Sequence, residues 1–452
     1  MGSDTRINNL TEGSILRALA HLAAPMLVTA LLQNAQSLID LFWVGRLGAE
    51  AVAAVAMSGT VLMALFPMLM GISAGTLALV ARGVGAGRTD EANAATAQSL
   101  VLAILVGAVA AVVGWLAADP MLRLLGAEPA VLAQGSAYLR ISLFGSFTVF
   151  LLFIGNAALQ GAGDARTPMY LMAIANIVNM ILDPIFIFGL GPLPAMRVQG
   201  AALATVLAQA VAAGLSLRLL FTGRTRLYPQ LQECRLYPAL AWRILRIGIP
   251  GTGQMLSRSL MGLVMMRLVA ACGTAAVAAY GVGLRLHMIV MMPAFALGGA
   301  AATLVGQNLG AAKPERAQRS AWLATGVDAA FMAFAAVVLA FFARNFIGAF
   351  NKVPEVVEVG VRYLRIVSPF YVFTALGVVL GRALQGAGDT LAPMIITIIT
   401  LWGLQVPLAV WFSRLWQPAT QGIWYAISAA SVAQGLLITL WFQTGRWQKT
   451  RV

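Results

Sequence analysis

The run Asn176-Ile177-Val178-Asn179-Met180-Ile181-Leu182-Asp183-Pro184 sets a carboxylate inside a stretch too long and too apolar for an ordinary soluble helix. At helical spacing Asn176, Asn179 and Asp183 share one stripe, while Ile177, Met180, Ile181 and Leu182 cover the remainder. That stripe must face protein or water, because an ionisable group at bilayer depth costs roughly 2.5 to 3.5 kcal/mol. Such a residue reads first as a functional site with a partner nearby. The alternative is a buried Asp that only ties helices together.

Working outward, the same apolar character fills the chain. Of 452 residues, 60% are hydrophobic and 10% charged, and the mean hydropathy is +0.84, outside the range of soluble domains. Stretches able to cross a hydrocarbon layer of about 30 Å as helices fall near 14–44, 52–78, 94–117, 138–160, 168–190, 199–222, 242–270, 277–303, 317–343, 362–386, 392–414 and 420–445. Backbone exposed to lipid must satisfy its own hydrogen bonds, so the class is all-α: a polytopic membrane protein of about twelve transmembrane helices. The first thirteen residues, Met1 to Gly13, lack the basic and apolar regions of a cleaved signal peptide. Cys234, Cys272, His21 and His287 form no spaced set, which argues against a disulfide framework, a zinc site or a bound cofactor.

An excess of Lys and Arg (30) over Asp and Glu (16) could mean nucleic acid, but the basic residues sit mainly in short loops between spans. With the N-terminus cytoplasmic, 18 of the 30 fall on the cytoplasmic side, among them Arg82, Arg88, Arg166, Arg224, Arg226, Lys313 and Arg316. That bias places both termini in the cytoplasm, and the chain in a bacterial inner membrane.

The organisation is a duplication. Leu159-Gln160-Gly161-Ala162-Gly163-Asp164 returns as Leu384-Gln385-Gly386-Ala387-Gly388-Asp389, 225 positions on. At the same shift Pro25 meets Pro250, Gly48 meets Gly273, and Gly85-Ala86-Gly87-Arg88 meets Gly310-Ala311-Ala312-Lys313. Six spans per half is an even number, so the copies are parallel and pseudo-symmetric, with the substrate path expected between them. The expected domains are an N-terminal lobe 1–222, a cytoplasmic linker 223–241 and a C-terminal lobe 242–452.

Pro25, the segment Ile39-Asp40-Leu41-Phe42-Trp43-Val44-Gly45, the twin Leu-Gln-Gly-Ala-Gly-Asp motifs and Asn179 to Pro184 together resemble the multidrug and toxic compound extrusion (MATE) family, most closely its DinF-like prokaryotic branch. The resemblance runs from about Gly13 to Gln443. It implies a cation site at Asp40, Asn179, Asp183 and Thr205, and export of cationic, amphipathic compounds driven by H⁺ or Na⁺ entry. The NorM branch carries acidic residues in its seventh and tenth helices. Here those regions hold Gln254 and the uncharged run Tyr371 to Leu380, so no second cation site is expected.

The residues lead the same way on their own. Entering near Pro168, the fifth span reaches Asp183 after about 22 Å, and Thr205 lies roughly 9 Å into the returning sixth. Asp40 stands near the outer end of the first. Carboxylate, amide and hydroxyl oxygens suit Na⁺ or a shared proton, not a soft metal. At the repeat positions stand Met265, Leu404, Leu408 and Ala430, so the chemistry was not duplicated with the fold. Gln33 and Gln36, on the Asp40 stripe, and Tyr138, at the start of the fourth span, either line a substrate cavity or serve as polar packing.

The reading is a secondary active multidrug exporter, expected to be a monomer in contact with membrane lipids and a small-molecule substrate, with no nucleic-acid partner. The alternative is a flippase for a lipid or lipid-linked sugar, which a basic lumen would favour. An embedded enzyme would need a convergent His, Ser or metal constellation. In the second half Arg258 lies about 20 Å deep and Asp328 about 16 Å, which predicts an ion pair between them, with Arg285 competing. The charge bias predicts that a cysteine at Gly223 is shielded from an impermeant thiol reagent added to intact cells, while one at Gln417 is labelled. The reverse pattern would invert the topology.

Overall fold

A helix leaves its last carbonyls without partners of its own, and the duplicated hexapeptide supplies them. In the computed structural model, which describes residues 10–189 and 194–450 except the side chain of Leu231, Asp164 N–H donates to Leu159 O at 2.9 Å and Gly163 N–H to Gln160 O at 2.9 Å. Asp389 repeats the first bond to Leu384 O and Gly388 the second to Gln385 O, both at 2.9 Å. This paired closure needs a left-handed residue, supplied by Gly163 (φ 92°) and Gly388 (φ 90°). The Asp then starts the next helix, Asp164 Oδ1 accepting from Thr167 N–H at 2.9 Å and Asp389 Oδ1 from Ala392 N–H at 3.3 Å. The earlier glycine of each motif lets helices touch. A Cβ on Gly161 would lie 3.0 Å from Leu77 O, and one on Gly386 would overlap Ala302 O.

The first half comprises Ile15–Gly45 (α1), Ala49–Met63 (α2), Phe66–Gly85 (α3), Thr89–Leu124 (α4), Pro129–Phe144 (α5), Ser146–Gly161 (α6), Arg166–Phe188 (α7) and Arg197–Phe221 (α8). The second comprises Pro238–Ala270 (α9), Thr274–Gly310 (α10), Pro314–Phe341 (α11), Ala343–Phe350 (α12), Pro354–Val367 (α13), Tyr371–Ala375 (α14), Gly381–Gly386 (α15), Leu391–Ile398 (α16), Val406–Leu415 (α17) and Ala419–Gln443 (α18). Two π-helical turns, Leu376–Leu380 and Ile399–Gln405, interrupt the second half. The fold is all-helical, with no strand among the described residues.

Among the described residues ten helical stretches are long and apolar enough to cross a membrane, and α5 with α6, bent by 44°, makes an eleventh. α9 falls short of that measure because Gln254, Ser257, Arg258 and Ser259 interrupt its apolar surface. Counting it gives the expected dozen, with the shorter apolar helix α2 preceding the span α3. Arg6 and Arg451, two more of the 18 basic residues expected on the cytoplasmic side, lie outside the described residues, as do Met1 to Asn9 of the expected N-terminal segment.

The contacts group into two units, 24–249 and 1–23 with 250–452. α1 and α9 therefore each change unit beside a proline, Pro25 and Pro250, which removes a helical hydrogen bond at that level. In the first unit the segment after α8 is strapped to α4: Gln98 donates to Glu233 O at 2.9 Å and to Arg235 O, and accepts from Tyr237 N–H at 3.0 Å. In the second, the chain before α1 is held to α11, Lys313 Nζ donating to Thr11 O at 3.1 Å and Arg316 to Gly13 O at 2.9 Å. The second unit's core is aromatic: Trp424 stacks on Tyr280 at 5.4 Å and meets Tyr363 edge-on at 4.9 Å.

Gly223 has φ 66°, so a labelling cysteine is better carried at Arg224. One repeat position departs from the pattern informatively. The closure at the end of α3 uses Gly87 (φ 71°), whereas its counterpart at the end of α10 forces Ala312 to φ 56°. Ala312→Gly is expected to stabilise the protein by up to about 1 kcal/mol and Gly87→Ala to cost about as much. Thermal melts in detergent check both, and a lower Tm for Ala312→Gly would contradict the strain.

Candidate functional site

α7 carries Asn176, Asn179 and Asp183 on its buried face, the last two fully buried. Asn179 Nδ2 donates to Asp183 Oδ1 at 3.3 Å, one turn along the same helix, and reaches Thr205 Oγ1 on α8 at 3.4 Å. Thr205 in turn donates to Ala201 O at 3.0 Å. Asp40, near the end of α1, lies close enough to interact with both Asp183 and Asn179. Thus α1, α7 and α8 converge in the unit 24–249. Asn176, one turn back along α7, fastens α1 by donating to Leu32 O at 2.7 Å.

The apolar floor is Val44, Ile187, Val198 and Ala201, with Trp43 and Tyr138 packed against them. On this floor the oxygens outnumber the donors. Asp40 Oδ1, Asp183 Oδ2, Asn179 Oδ1 and Asn176 Oδ1 are buried without a hydrogen-bond partner. Two carboxylates at this separation repel unless positive charge lies between them. The bare oxygens of Asp40, Asp183 and Asn179, with Thr205 Oγ1 beside them, fit a proton or a hard cation such as Na⁺. Among the described residues no three His, Cys, Asp or Glu side chains converge to hold a metal, so a carboxylate-rich divalent site is a poorer description of this geometry.

The remaining sequence candidates separate. Gln36 is buried with its Nε2 unpartnered, one turn before Asp40 on α1. Gln33 lies a turn further back, half-buried, and its side chain makes no hydrogen bond to the cluster among the described contacts. Tyr138 is close enough to feel the charges of Asp40 and Asp183. Its repeat counterpart is Tyr363, a core residue of the half that lacks the carboxylates. The same position therefore performs packing work where there is no cation chemistry.

In the second unit the expected ion pair is absent. Both carboxylate oxygens of Asp328 are buried without a partner, and Arg258 instead lies within electrostatic reach of Arg382. Equal depth had suggested the pair, but depth leaves open which way each helix faces. A polar network that sequence reading had not assembled stands nearby. Gln254 Nε2 donates to Thr397 Oγ1 at 2.9 Å, Gln385 Nε2 to Gln254 Oε1 at 2.9 Å and Gln434 Nε2 to Thr397 Oγ1 at 2.9 Å. The amides interrupting apolar spans were the available signal.

Comparison with known proteins gives a consistent picture. The family described as MatE matches residues 25–185 and 250–411, two segments that begin at the paired prolines. A FAD transporter of Shewanella oneidensis is 29% identical over 429 residues, covering 95% of this chain and 94% of its own. A probable multidrug resistance protein NorM of Thermotoga maritima is 29% identical over 444 residues, covering 97% and 94%. An outward-facing multidrug resistance MATE family transporter of the MOP superfamily superimposes with a TM-score of 0.89 at 26% identity, over 99% of this chain and 100% of its own. A MOP superfamily transporter from Pyrococcus furiosus, described by the reverse polarity of its binding pocket, also scores 0.89 at 26% identity, over 100% of both chains.

Because Asn179 is the one donor shared by Asp183 and Thr205, Asn179→Ala should cost about 1 to 3 kcal/mol by stranding a buried carboxylate oxygen. Thr205→Ala should cost less, since that hydroxyl donates only to its own helix. Thermal unfolding in detergent ranks the two, and a larger loss for Thr205→Ala would overturn the assignment.

Proposed function

This chain belongs to the MatE family of multidrug transporters, and we propose that it exports cationic amphipathic compounds in exchange for entering H⁺ or Na⁺. The observation that supports this most directly is the set of bare oxygens around Asp40, Asn179, Asp183 and Thr205, built in one half of a duplicated fold and absent from the other. A structural need of the six-span unit would be expected in both copies. An ion site serving coupling is needed once.

The mechanism follows from linkage. If the cation and the substrate favour different states of the protein, binding of one lowers affinity for the other by the same factor each way, and that antagonism is exchange. Alternating access of the two halves then carries substrate out as the ion enters. In this reading Asp40 and Asp183 hold the proton or Na⁺ at their facing carboxylates. Asn179 orients Asp183, and Thr205 adds a hydroxyl oxygen. Gln36 and Gln33 extend along α1 as substrate contacts, while Tyr138 closes the site as a packing residue. The protein works as a monomer in the bacterial inner membrane, with both termini in the cytoplasm.

Purified protein in liposomes with imposed pH or Na⁺ gradients provides the test. Asp40→Asn and Asp183→Asn should each abolish gradient-driven efflux of a cationic dye while leaving insertion and the elution profile intact. The gradient that restores wild-type transport identifies the ion. Near-normal driven efflux by both variants would remove the basis of this reading.

A further inference from the structure

Two cations of the second unit, Arg258 and Arg382, meet no anion among the described residues. Arg258 stands on α9 twelve residues before the helix ends at Ala270, about 18 Å from that end by helical rise. Arg382 stands on α15, just past the π-helical turn Leu376–Leu380. The Gln385 to Gln254 hydrogen bond at 2.9 Å sets the register of these two helices. α9 and α15 belong to the seventh and tenth spans and run antiparallel. One turn beyond the bond, four residues on along α9 and three back along α15, come Arg258 and Arg382. The two guanidinium groups are close enough for their charges to interact.

Neither arginine forms a hydrogen bond or an ion pair among the described residues. The unit's described carboxylates are engaged or placed elsewhere. Asp328 meets no partner, Asp389 accepts from Trp441 Nε1 at 2.8 Å, Glu358 pairs with Arg362 and Glu12 with Lys313 at 3.7 Å, while Glu315 and Glu355 are exposed. Arg382 packs its stem on Gly298 and sets its Cζ 5.9 Å from the Phe295 ring centroid, which fixes the side chain but leaves its charge uncompensated. Both arginines are half-buried, not sealed. Two further groups stand ready. The His287 ring feels the Arg258 charge and meets Tyr371 edge-on at 5.2 Å, and His287 Nδ1 and the Tyr371 hydroxyl are buried polar atoms without partners.

Two guanidinium forks within electrostatic reach of one another, with an unpaired ring nitrogen near Arg258 and an unpaired hydroxyl against that ring, suit recognition of an oxyanion of phosphate or carboxylate type. We propose that Arg258 and Arg382 form a binding site for the acidic group of an amphipathic substrate, a phosphate ester above all, so that the transporter also handles anionic or zwitterionic amphiphiles. The inference rests on the reading as a transporter but on neither the coupling ion nor Asp40 and Asp183. At the repeat positions the first half has Gln33 and Ala157, so this chemistry too belongs to one half.

Riboflavin and its 5′-phosphate ester, flavin mononucleotide, share a fluorescent ring and differ by the phosphate. Anisotropy titrations of the purified protein are expected to show the ester binding at least about tenfold more tightly than riboflavin. Arg258→Gln with Arg382→Gln should erase the difference without weakening riboflavin, and Arg258→Lys with Arg382→Lys should keep part of it. Melts with phosphatidylglycerol against phosphatidylcholine form the second arm. Arginine-dependent stabilisation by the anionic lipid, without preference for the soluble ester, would identify the phosphate as that of a lipid headgroup. Wild-type protein that prefers neither anionic probe over its partner overturns the proposal, as does a preference that survives the double Gln variant. Asp40→Asn should retain the ester preference, so failure of ion coupling and failure of anion binding are read separately.

Discussion

Hydrocarbon offers no hydrogen bonds, and most of this architecture answers to that. Within each helix the backbone satisfies itself, so the difficulty concentrates at helix ends and at buried side chains. At the ends the chain repeats one solution, a left-handed residue that turns two amides back onto the last carbonyls, at Gly163, Gly388 and Gly87. The aspartates of the twin motif extend it by starting the following helix. The hexapeptide thus reappears in both halves because both must stop and restart a helix at the same place. The π-helical turns at Leu376–Leu380 and Ile399–Gln405 have no such duplicate among the helices of the first half, and they lie beside Arg382 and the Thr397 network.

Buried side chains follow a different logic, and here the halves diverge. The first unit gathers Asp40, Asp183, Asn179 and Thr205, acceptors in excess of donors. The second fills the equivalent positions Met265, Leu404, Leu408 and Ala430 with apolar side chains and gathers Arg258, Arg382, His287 and Tyr371 instead. A symmetric frame therefore carries opposite charge preferences in its two copies. An unpaired charge in this environment is maintained against a substantial penalty, and it is on these two imbalances that the proposed cation and anion sites rest. Tyr138 and Tyr363 show the contrasting case, one residue type retained at both copies because the packing needs it.

The all-helical class, most of the spans, the duplication and the family were legible in the sequence, because they depend on local properties: apolar length against bilayer thickness, helical periodicity, and a motif whose work is done within six residues. The stripe of Asn179 and Asp183 was legible for the same reason, one helix's spacing being enough to put both on one face. The Arg258 to Asp328 pair was not correctly foreseen. A rise of 1.5 Å per residue gives depth, but not the direction a helix presents or which neighbour it meets. Those depend on packing between distant segments, and only the tertiary structure could bring Arg258 to Arg382 and Gln254 to Gln385 and Thr397, leaving Asp328 without a partner.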